Sequence, residues 1–205
     1  MNFINMFLRW WRSQPPTFPE EKLCTGLGEP GTPGTFPVEI WEGHDPVITD
    51  SFERPGPGAK RNGRGHWGGD IALRRPKSGK VDRPEYVKHF FCPNNKVRSL
   101  NVFPGIVKSV ENSKKHGRVV KVAHGTRHIS VHRHLSRTDV VAGQVVAEGI
   151  ALGILGHAPS AGDKGFNHDH FEIWDMTLPG PKNSRAAHAV DPGPWLEHWT
   201  KRTKD

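Results

Sequence analysis

Apolar and polar residues alternate through most of the second half of the chain. Alternation with a period of two is typical of half-buried strands, and the Gly-, Asn- and Ser-containing segments between the apolar runs are typical of turns. The pattern predicts strands at 105–111, 118–124, 128–134, 144–147, 152–156 and 168–174. There is no long amphipathic helical repeat, although residues 195–199 (Trp-Leu-Glu-His-Trp) favour a final helical turn. The sequence therefore predicts an all-β protein with mostly antiparallel strands.

The N-terminal part of the chain lacks this alternation. Residues 14–43 are rich in Pro, Gly and Thr and predict an irregular extension with one short strand at 38–41. Residues 55–65 form a basic, glycine-rich loop that is either a wall of a substrate site or a solvated connector. Nearer the N-terminus, four aromatic residues share one face of a predicted short helix: Phe3, Phe7, Trp10 and Trp11. This face either packs on the domain or a partner chain, or makes a weak contact with a membrane surface.

Length, composition and charge narrow the class of protein. The chain has 205 residues, which fits one domain with an appendage, and its 23 Gly and 18 Pro favour short strands and loops over long helices. A net charge of +8 favours an anionic partner such as nucleic acid, a membrane surface or a cell wall, but a basic soluble surface has the same charge. No stretch reaches the roughly 20 apolar residues that a transmembrane helix needs.

The order of charges at the N-terminus and the number of cysteines indicate whether the protein is secreted and whether its environment is oxidising. In residues 1–13 the arginines follow the short apolar run, which is the reverse of the order in a secretory signal, so no signal peptide is expected. Cys24 and Cys92 are too few for a disulfide framework. They are expected as free thiols, with one bridge between them as the alternative in an oxidising compartment.

The most specific chemical pattern is the His-x-His sequence within residues 165–174. Successive side chains of a strand point to opposite faces, so His168, His170 and Glu172 are predicted to share one face. Asp169 lies between the two histidines and faces the other way. Two imidazoles on one face of a strand are suited to holding a metal ion or to transferring protons.

Two further motifs upstream contain the same types of residue. His66 and Asp70 lie four residues apart in a glycine-rich turn that leads into a strand, and both side chains are donors that zinc accepts. The glycines of this turn allow the backbone to bend so that both side chains reach one point. The strand-like residues 129–136 contain a second His-x-His, formed by His132 and His134.

The order of these motifs resembles the lysostaphin/LytM-type zinc endopeptidases of bacterial and phage cell-wall lysis. His-x-x-x-Asp comes first, then a strand ending in His-Leu-Ser, and then His-x-His-Phe-Glu-Ile. Other segments resemble the family in the same order: Phe52-Glu53-Arg54, 104–107, 119–125, 142–149, 152–156 and 190–196. The resemblance covers roughly residues 44–198. It implies a barrel-like β sandwich, built on a duplicated hybrid motif, with the site in a groove.

The resemblance also implies the roles of individual residues. His66, Asp70 and His170 would hold one zinc ion per chain and leave one coordination position open for catalysis. His134 and His168 would be the catalytic pair, with their two roles not divided by the sequence. The sequence also departs from the family at two positions. His132 lies where the family commonly has Tyr, and Asp169 replaces the usual leucine and so needs a polar partner.

Three residues are candidates for contacting or orienting the ligand side chains without binding the metal themselves. His132 is predicted to share a face with His134, where it would either supply a hydrogen bond or only fill space. Glu172 would either orient a ligand imidazole or form a surface salt bridge. His124 would be a structural residue or a supporting one, rather than a ligand.

The domain organisation follows from the extent of the resemblance. Residues 1–43 form an N-terminal extension, 44–198 the zinc metallopeptidase domain and 199–205 a basic tail. A basic insertion at about 74–102 interrupts the domain, and it either contacts substrate or a partner protein, or is a structural excursion.

The resemblance implies a zinc-dependent endolysin-like hydrolase that cleaves peptidoglycan peptides, in the stem or the crossbridge. Without a signal peptide, we expect synthesis in the cytoplasm and action at the cell wall or periplasm in phage lysis, or transport in a virion with phage structural proteins as partners. One alternative is an inactive wall-binding protein of the same fold. Another is nucleic-acid binding driven by the positive charge, although no aromatic–basic recognition motif is present, so no specific nucleic-acid partner is expected.

Overall fold

A computed structural model describes residues 27–42, 44–60, 63–74, 96–159 and 167–202. Ten strands and two helices lie in these ranges. The strands are β1 (Asp45–Asp50), β2 (Gly69–Arg74), β3 (Arg98–Leu100), β4 (Gly105–Ser113), β5 (Gly117–His124), β6 (His128–Thr138), β7 (Val145–Val146), β8 (Ala151–Leu155), β9 (Asp169–Asp175) and β10 (Ala189–Val190); the helices are α1 (Arg185–His188) and α2 (Gly193–Arg202). The aromatic N-terminal segment, Cys24, Cys92 and residues 75–95 of the basic insertion lie outside the described residues.

All the strands belong to one antiparallel sheet with the order β1-β2-β9-β6-β5-β4-β7. β10 pairs with β9 on the same edge as β2. β8 pairs with β6 on one side and with β3 on the other. The prediction of a mostly antiparallel all-β fold is therefore confirmed, and a barrel-like sandwich describes it, although the sheet does not close. Of the described helices, none is long and apolar enough to cross a membrane.

Strand β6 is the element that positions the site, because it changes partner along its length. Its first part, 128–133, pairs with β9, and its last part, 135–138, pairs with β8. His134 lies where one partner replaces the other. Opposite it, β5 has one residue fewer, since Arg118 pairs with Leu135 and Val120 with His132. This is a β-bulge, which breaks the alternation of side chains at His134.

The core includes segments that the sequence predicted to be irregular. Leu27, Phe36 and Val38 are each 1% exposed and belong to the main apolar cluster, so residues 27–42 are part of the packed body. Instead of a strand at 38–41, Val38 makes an isolated bridge to Ser99. Helix α2 is longer than the expected turn, and its Trp199 side chain packs in the same cluster. A smaller cluster covers the other face of the sheet: Val119, Ile129, Val131, Trp174 and Ala189.

Candidate metal centre

Three side chains from two separate segments meet at one buried point. His66 Nε2 lies 3.0 Å from Asp70 Oδ1 and 3.0 Å from His170 Nδ1, and the last two atoms are 2.7 Å apart. The backbone provides this convergence, because Asp70 on β2 is the cross-strand partner of His170 on β9. Gly65, with φ of +60°, turns the chain so that His66 forms a bridge to Glu53.

The outer hydrogen bonds of the two imidazoles determine which nitrogen carries the proton. His66 Nδ1 is 3.0 Å from the carbonyl oxygen of Ser51, and His170 Nε2 is 2.9 Å from Glu172 Oε1. Both oxygens can only accept, so these nitrogens are the donors, and the facing nitrogens of neutral rings carry lone pairs. Two lone pairs and a carboxylate oxygen within 3.0 Å of one another repel, and a metal cation among them removes this repulsion.

The donor set fits zinc, which binds imidazole nitrogen and carboxylate oxygen at about 2.0–2.2 Å. The triangle is small enough for one ion at such a distance to reach all three atoms. Among the described residues, His66, Asp70 and His170 are the set whose nitrogen and oxygen atoms lie close enough together to bind one metal ion. Burial alone would raise the pKa of Asp70, but its close contacts with the imidazoles of His170 and His66 outweigh burial and hold that pKa well below its ordinary value. Asp70 is therefore a carboxylate at neutral pH.

Glu172 is the hub behind His170. It is fully buried and accepts hydrogen bonds from His170 Nε2 at 2.9 Å, Arg133 Nε at 2.7 Å and Trp174 Nε1 at 2.7 Å. Arg185 Nη1 adds a fourth donor at 3.2 Å. Although burial would raise the pKa of Glu172, these partners lower it, so Glu172 is charged. Of the two predicted alternatives, orientation of a ligand imidazole fits this geometry and a surface salt bridge does not.

His134 and His168 lie beside the ligand group, which consists of the side chains of His66, Asp70 and His170. Their ring centroids are 4.9 Å apart, and the His134 centroid is 5.6 Å from that of His170. His168 Nε2 is 3.9 Å from Asp70 Oδ1. His134 has a φ of +65°, the left-handed value that the bulge requires, and this turns its side chain to the ligand side.

A carbonyl fixes the tautomer of His134. Its Nδ1 lies 3.0 Å from the carbonyl oxygen of His116, which can only accept, so Nδ1 is the donor and Nε2 is left with a lone pair. Burial and the neighbouring His168 and His170 lower the pKa of His134 to about 3. The ring is therefore neutral at neutral pH, and its free nitrogen can accept a proton.

The prediction that His132 shares a face with His134 is wrong. The bulge separates their directions, and His132 points to the opposite face, where its Nδ1 is 2.8 Å from Asp169 Oδ2. Ser99 Oγ lies 2.9 Å from the same carboxylate oxygen, and all three residues are fully buried. The two departures from the family pattern, His132 and Asp169, therefore form a pair with each other.

His124 is a structural residue and does not support the ligands. Its Nδ1 contacts the carbonyl oxygen of Pro104 at 3.2 Å, and its Nε2 contacts Ser130 Oγ at 2.9 Å. Complete burial lowers its pKa to about 3. The two contacts connect β6 to the turn before β4, on the other side of the sheet from Glu172.

Sequence reasoning missed three contributors to the site. Arg133 is the cross-strand partner of His170, and its side chain reaches Glu172. Cross-strand partners point to the same face of a sheet, so the register of β6 against β9 would have been needed to predict this contact. Arg185 comes from α1, after a turn for which the sequence has no distinctive signal. The His116 carbonyl oxygen contacts His134 Nδ1, and because this is a backbone group, no particular side chain at position 116 indicates the contact.

Comparison with known proteins gives a family and a fold. Residues 89–192, just over half of the chain, match the family model described as Peptidase family M23. His134, His168 and His170 lie inside that stretch, whereas His66 and Asp70 precede it and join the site only through the fold. A search of curated proteins gave no significant match.

Several solved structures share the fold at low identity. The catalytic domain of the prophage-encoded M23 protein EnpA from Enterococcus faecalis has a TM-score of 0.50 at 19% identity and aligns over 77% of this chain and 95% of its own. The lysostaphin catalytic domain from Staphylococcus simulans has 0.51 at 18%, over 75% and 92%. A zinc-containing peptidase from Vibrio cholerae has 0.52 at 17%, over 77% and 39%. The resemblance drawn from the motifs is thereby confirmed at the level of family and fold.

Proposed function

The chain belongs to peptidase family M23, and from that premise we propose that it is a zinc-dependent endopeptidase of bacterial peptidoglycan. The observation that carries the proposal is the convergence of lone pairs from His66, Asp70 and His170 on one buried point. A site of this kind has the ligand number of a catalytic zinc centre, which keeps one position open, rather than that of a closed structural one.

The ion would be held through His66 Nε2, Asp70 Oδ1 and His170 Nδ1. When bound, zinc supplies Lewis acidity, which polarises a peptide carbonyl and lowers the pKa of a water molecule toward ~7. Glu172 raises the basicity of His170 by accepting a hydrogen bond from its Nε2–H, and the Ser51 carbonyl oxygen does the same for Nδ1–H of His66.

His134 is proposed as the general base. Its Nε2 accepts the proton of the attacking water, because Nδ1 is committed to the His116 carbonyl. The imidazolium that results lies beside a carboxylate, Asp70, and can return the proton to the leaving amine nitrogen. The same residue thereby serves both halves of the hydrolysis, and no other proton carrier is needed.

His168 is proposed as the donor that stabilises the oxyanion of the tetrahedral intermediate. Its ring lies next to that of His134 and on the same side of the ligand group. The backbone N–H of His168 donates to the Gly156 carbonyl oxygen at 2.9 Å, which fixes the position of this residue just before β9. A donor held in place before the reaction contributes most when charge develops in the transition state.

We place the activity in phage lysis or in wall penetration by a virion-borne protein, with synthesis in the cytoplasm and action at the cell wall. The +8 charge suits an anionic wall. The fold likeness to a prophage-encoded M23 protein supports the phage setting.

The test is hydrolysis of purified cell walls, followed as turbidity loss and by mass spectrometry of the fragments, together with metal analysis. His170→Ala should lose zinc and hydrolysis together, whereas His198→Ala on α2 should keep both. Undiminished hydrolysis by His170→Ala would refute the metal assignment. Wall binding by a wild-type protein without zinc or hydrolysis would instead indicate an inactive wall-binding member of the family.

A further inference from the structure

Two arginines meet one carboxylate behind the ligand group. Arg133 Nε lies 2.7 Å and Arg185 Nη1 lies 3.2 Å from the same oxygen of Glu172. That oxygen also accepts from His170, and the second oxygen accepts from Trp174 and from Arg133 Nη2. Glu172 therefore has no capacity for further donors, and its single negative charge balances only one of the two guanidinium groups.

The two guanidinium groups differ in their access to solvent. The Arg133 side chain is 10% exposed, whereas that of Arg185 is 30% exposed. Within the part of the chain that the structure describes, the Arg185 side chain makes one hydrogen bond, through Nη1 to Glu172. The ion pair with Glu172 thus holds the guanidinium in place through Nη1, and the other N–H groups of the guanidinium are available to a ligand.

His116 connects this cationic pair to the proposed catalytic histidines. Its ring centroid is 6.3 Å from that of His134, and its carbonyl holds the His134 ring. Burial and the nearby charges of Arg133 and Arg185 together lower the pKa of His116 to about 4. A neutral His116 therefore adds no positive charge of its own beside Arg185.

We propose that Arg185, backed by Arg133, binds a carboxylate of the substrate next to the scissile bond, so that the preferred substrate is an acidic stem peptide rather than an uncharged glycine crossbridge. This inference rests on the proposed function and makes its substrate class specific. A guanidinium presents parallel N–H groups that match the two oxygens of a carboxylate, which gives geometric selectivity as well as charge. Oligoglycine offers no side-chain carboxylate to this position.

Matched peptides test the proposal without depending on whole cell walls. One probe is a stem peptide with free carboxylates, the second is the same peptide with those groups converted to carboxamides, and the third is oligoglycine. Binding to the zinc-loaded protein is measured by calorimetry, and hydrolysis by mass spectrometry. A charge-assisted hydrogen bond is worth about 1.5–3 kcal/mol, so the wild-type protein should prefer the carboxylate peptide by roughly 10- to 100-fold.

The decisive quantity is the ratio between the carboxylate and carboxamide peptides, because damage to the site lowers both values. In Arg185→Gln this ratio should fall to near one, and Arg185→Lys should retain an intermediate value. Arg137→Gln removes an exposed arginine that pairs with Asp139 and should leave the ratio unchanged. A wild-type ratio near one, or a ratio that persists in Arg185→Gln, would overturn the proposal.

The outcome can be separated from that of the proposed function. Hydrolysis of oligoglycine, or of both stem peptides at equal rates, would support the peptidase and refute the carboxylate subsite. Charge-selective binding that depends on Arg185, without hydrolysis of any probe, would support the subsite and refute the enzyme.

Discussion

Replacement of Asp169 by leucine, the residue that the family usually has there, tests whether two unusual residues depend on each other. Asp169 Oδ2 accepts from His132 Nδ1 at 2.8 Å and from Ser99 Oγ at 2.9 Å, and all three residues are fully buried. Removing one partner of a buried imidazole–carboxylate pair costs about 3–5 kcal/mol, since the other is left without compensation. Asp169→Leu and His132→Phe should therefore each be strongly destabilising.

The double variant should recover most of this loss. Replacing both members of a buried pair by apolar residues is often neutral, or stabilising by about 1–4 kcal/mol. His132 already packs against an aromatic ring, with its centroid 5.1 Å from that of Phe171, so phenylalanine fits the same environment. The coupling free energy in the double-mutant cycle should be about 3 kcal/mol or more, at the upper end of that seen for residues in contact.

Urea denaturation at saturating zinc measures the three variants and the wild type. With about 2–4 °C per kcal/mol for a chain of this size, thermal melting should show drops of at least ~6 °C for the single variants. Asp139→Leu breaks an exposed pair with Arg137 and should change stability by less than about 1 kcal/mol. Additive effects, with the double variant as unstable as the sum of the single ones, would refute the reasoning.

Three other changes test the site itself. Glu172→Gln should weaken zinc binding by about 10- to 100-fold, measured by competition with a chelator, because the outer partner of His170 is lost. Gly68→Ala should lower zinc content sharply, since a Cβ there would be 2.3 Å from the Phe171 carbonyl oxygen; Gly143→Ala, which meets nothing within 4 Å but has a positive φ, should cost stability and keep zinc. His134→Ala should retain zinc and lower kcat by about 10²–10⁴, and an unchanged kcat would exclude it as the base.

The ligand group was accessible to sequence reasoning because each motif is local. His170 and Glu172 share a face through simple strand alternation, and His66, in the turn before β2, lies only four residues before Asp70 at the start of that strand. The strand positions agree for the same reason, since the period of two survives along β4, β5 and β9. The order of the motifs along the chain then indicated that these segments meet, and the antiparallel pairing of β2 with β9 is how they do so.

The residues that sequence reasoning missed depend on backbone geometry and long-range register. The bulge at His134 reverses the direction of one side chain, and a positive φ at a non-glycine residue has no signal in composition. Without the bulge, His134 would point with His132 into the core, on the side of Asp169. The contribution of residues 27–42 to the core was missed because Pro- and Gly-rich segments lack periodicity even when their few apolar side chains are buried.

The distribution of the three ligands over the sheet has a consequence for how the protein opens. His66 and Asp70 belong to the β1–β2 hairpin at the sheet's edge, which pairs with β9 over only three residues, and His170 belongs to β9 itself. An ion that bonds to both sides therefore links loading of the site to closure of an edge hairpin. Hydrogen exchange in β1 and β2 should accelerate when zinc is stripped, while β5 and the first part of β6 stay protected. Metal supply would then govern resistance to proteolysis as well as the chemistry.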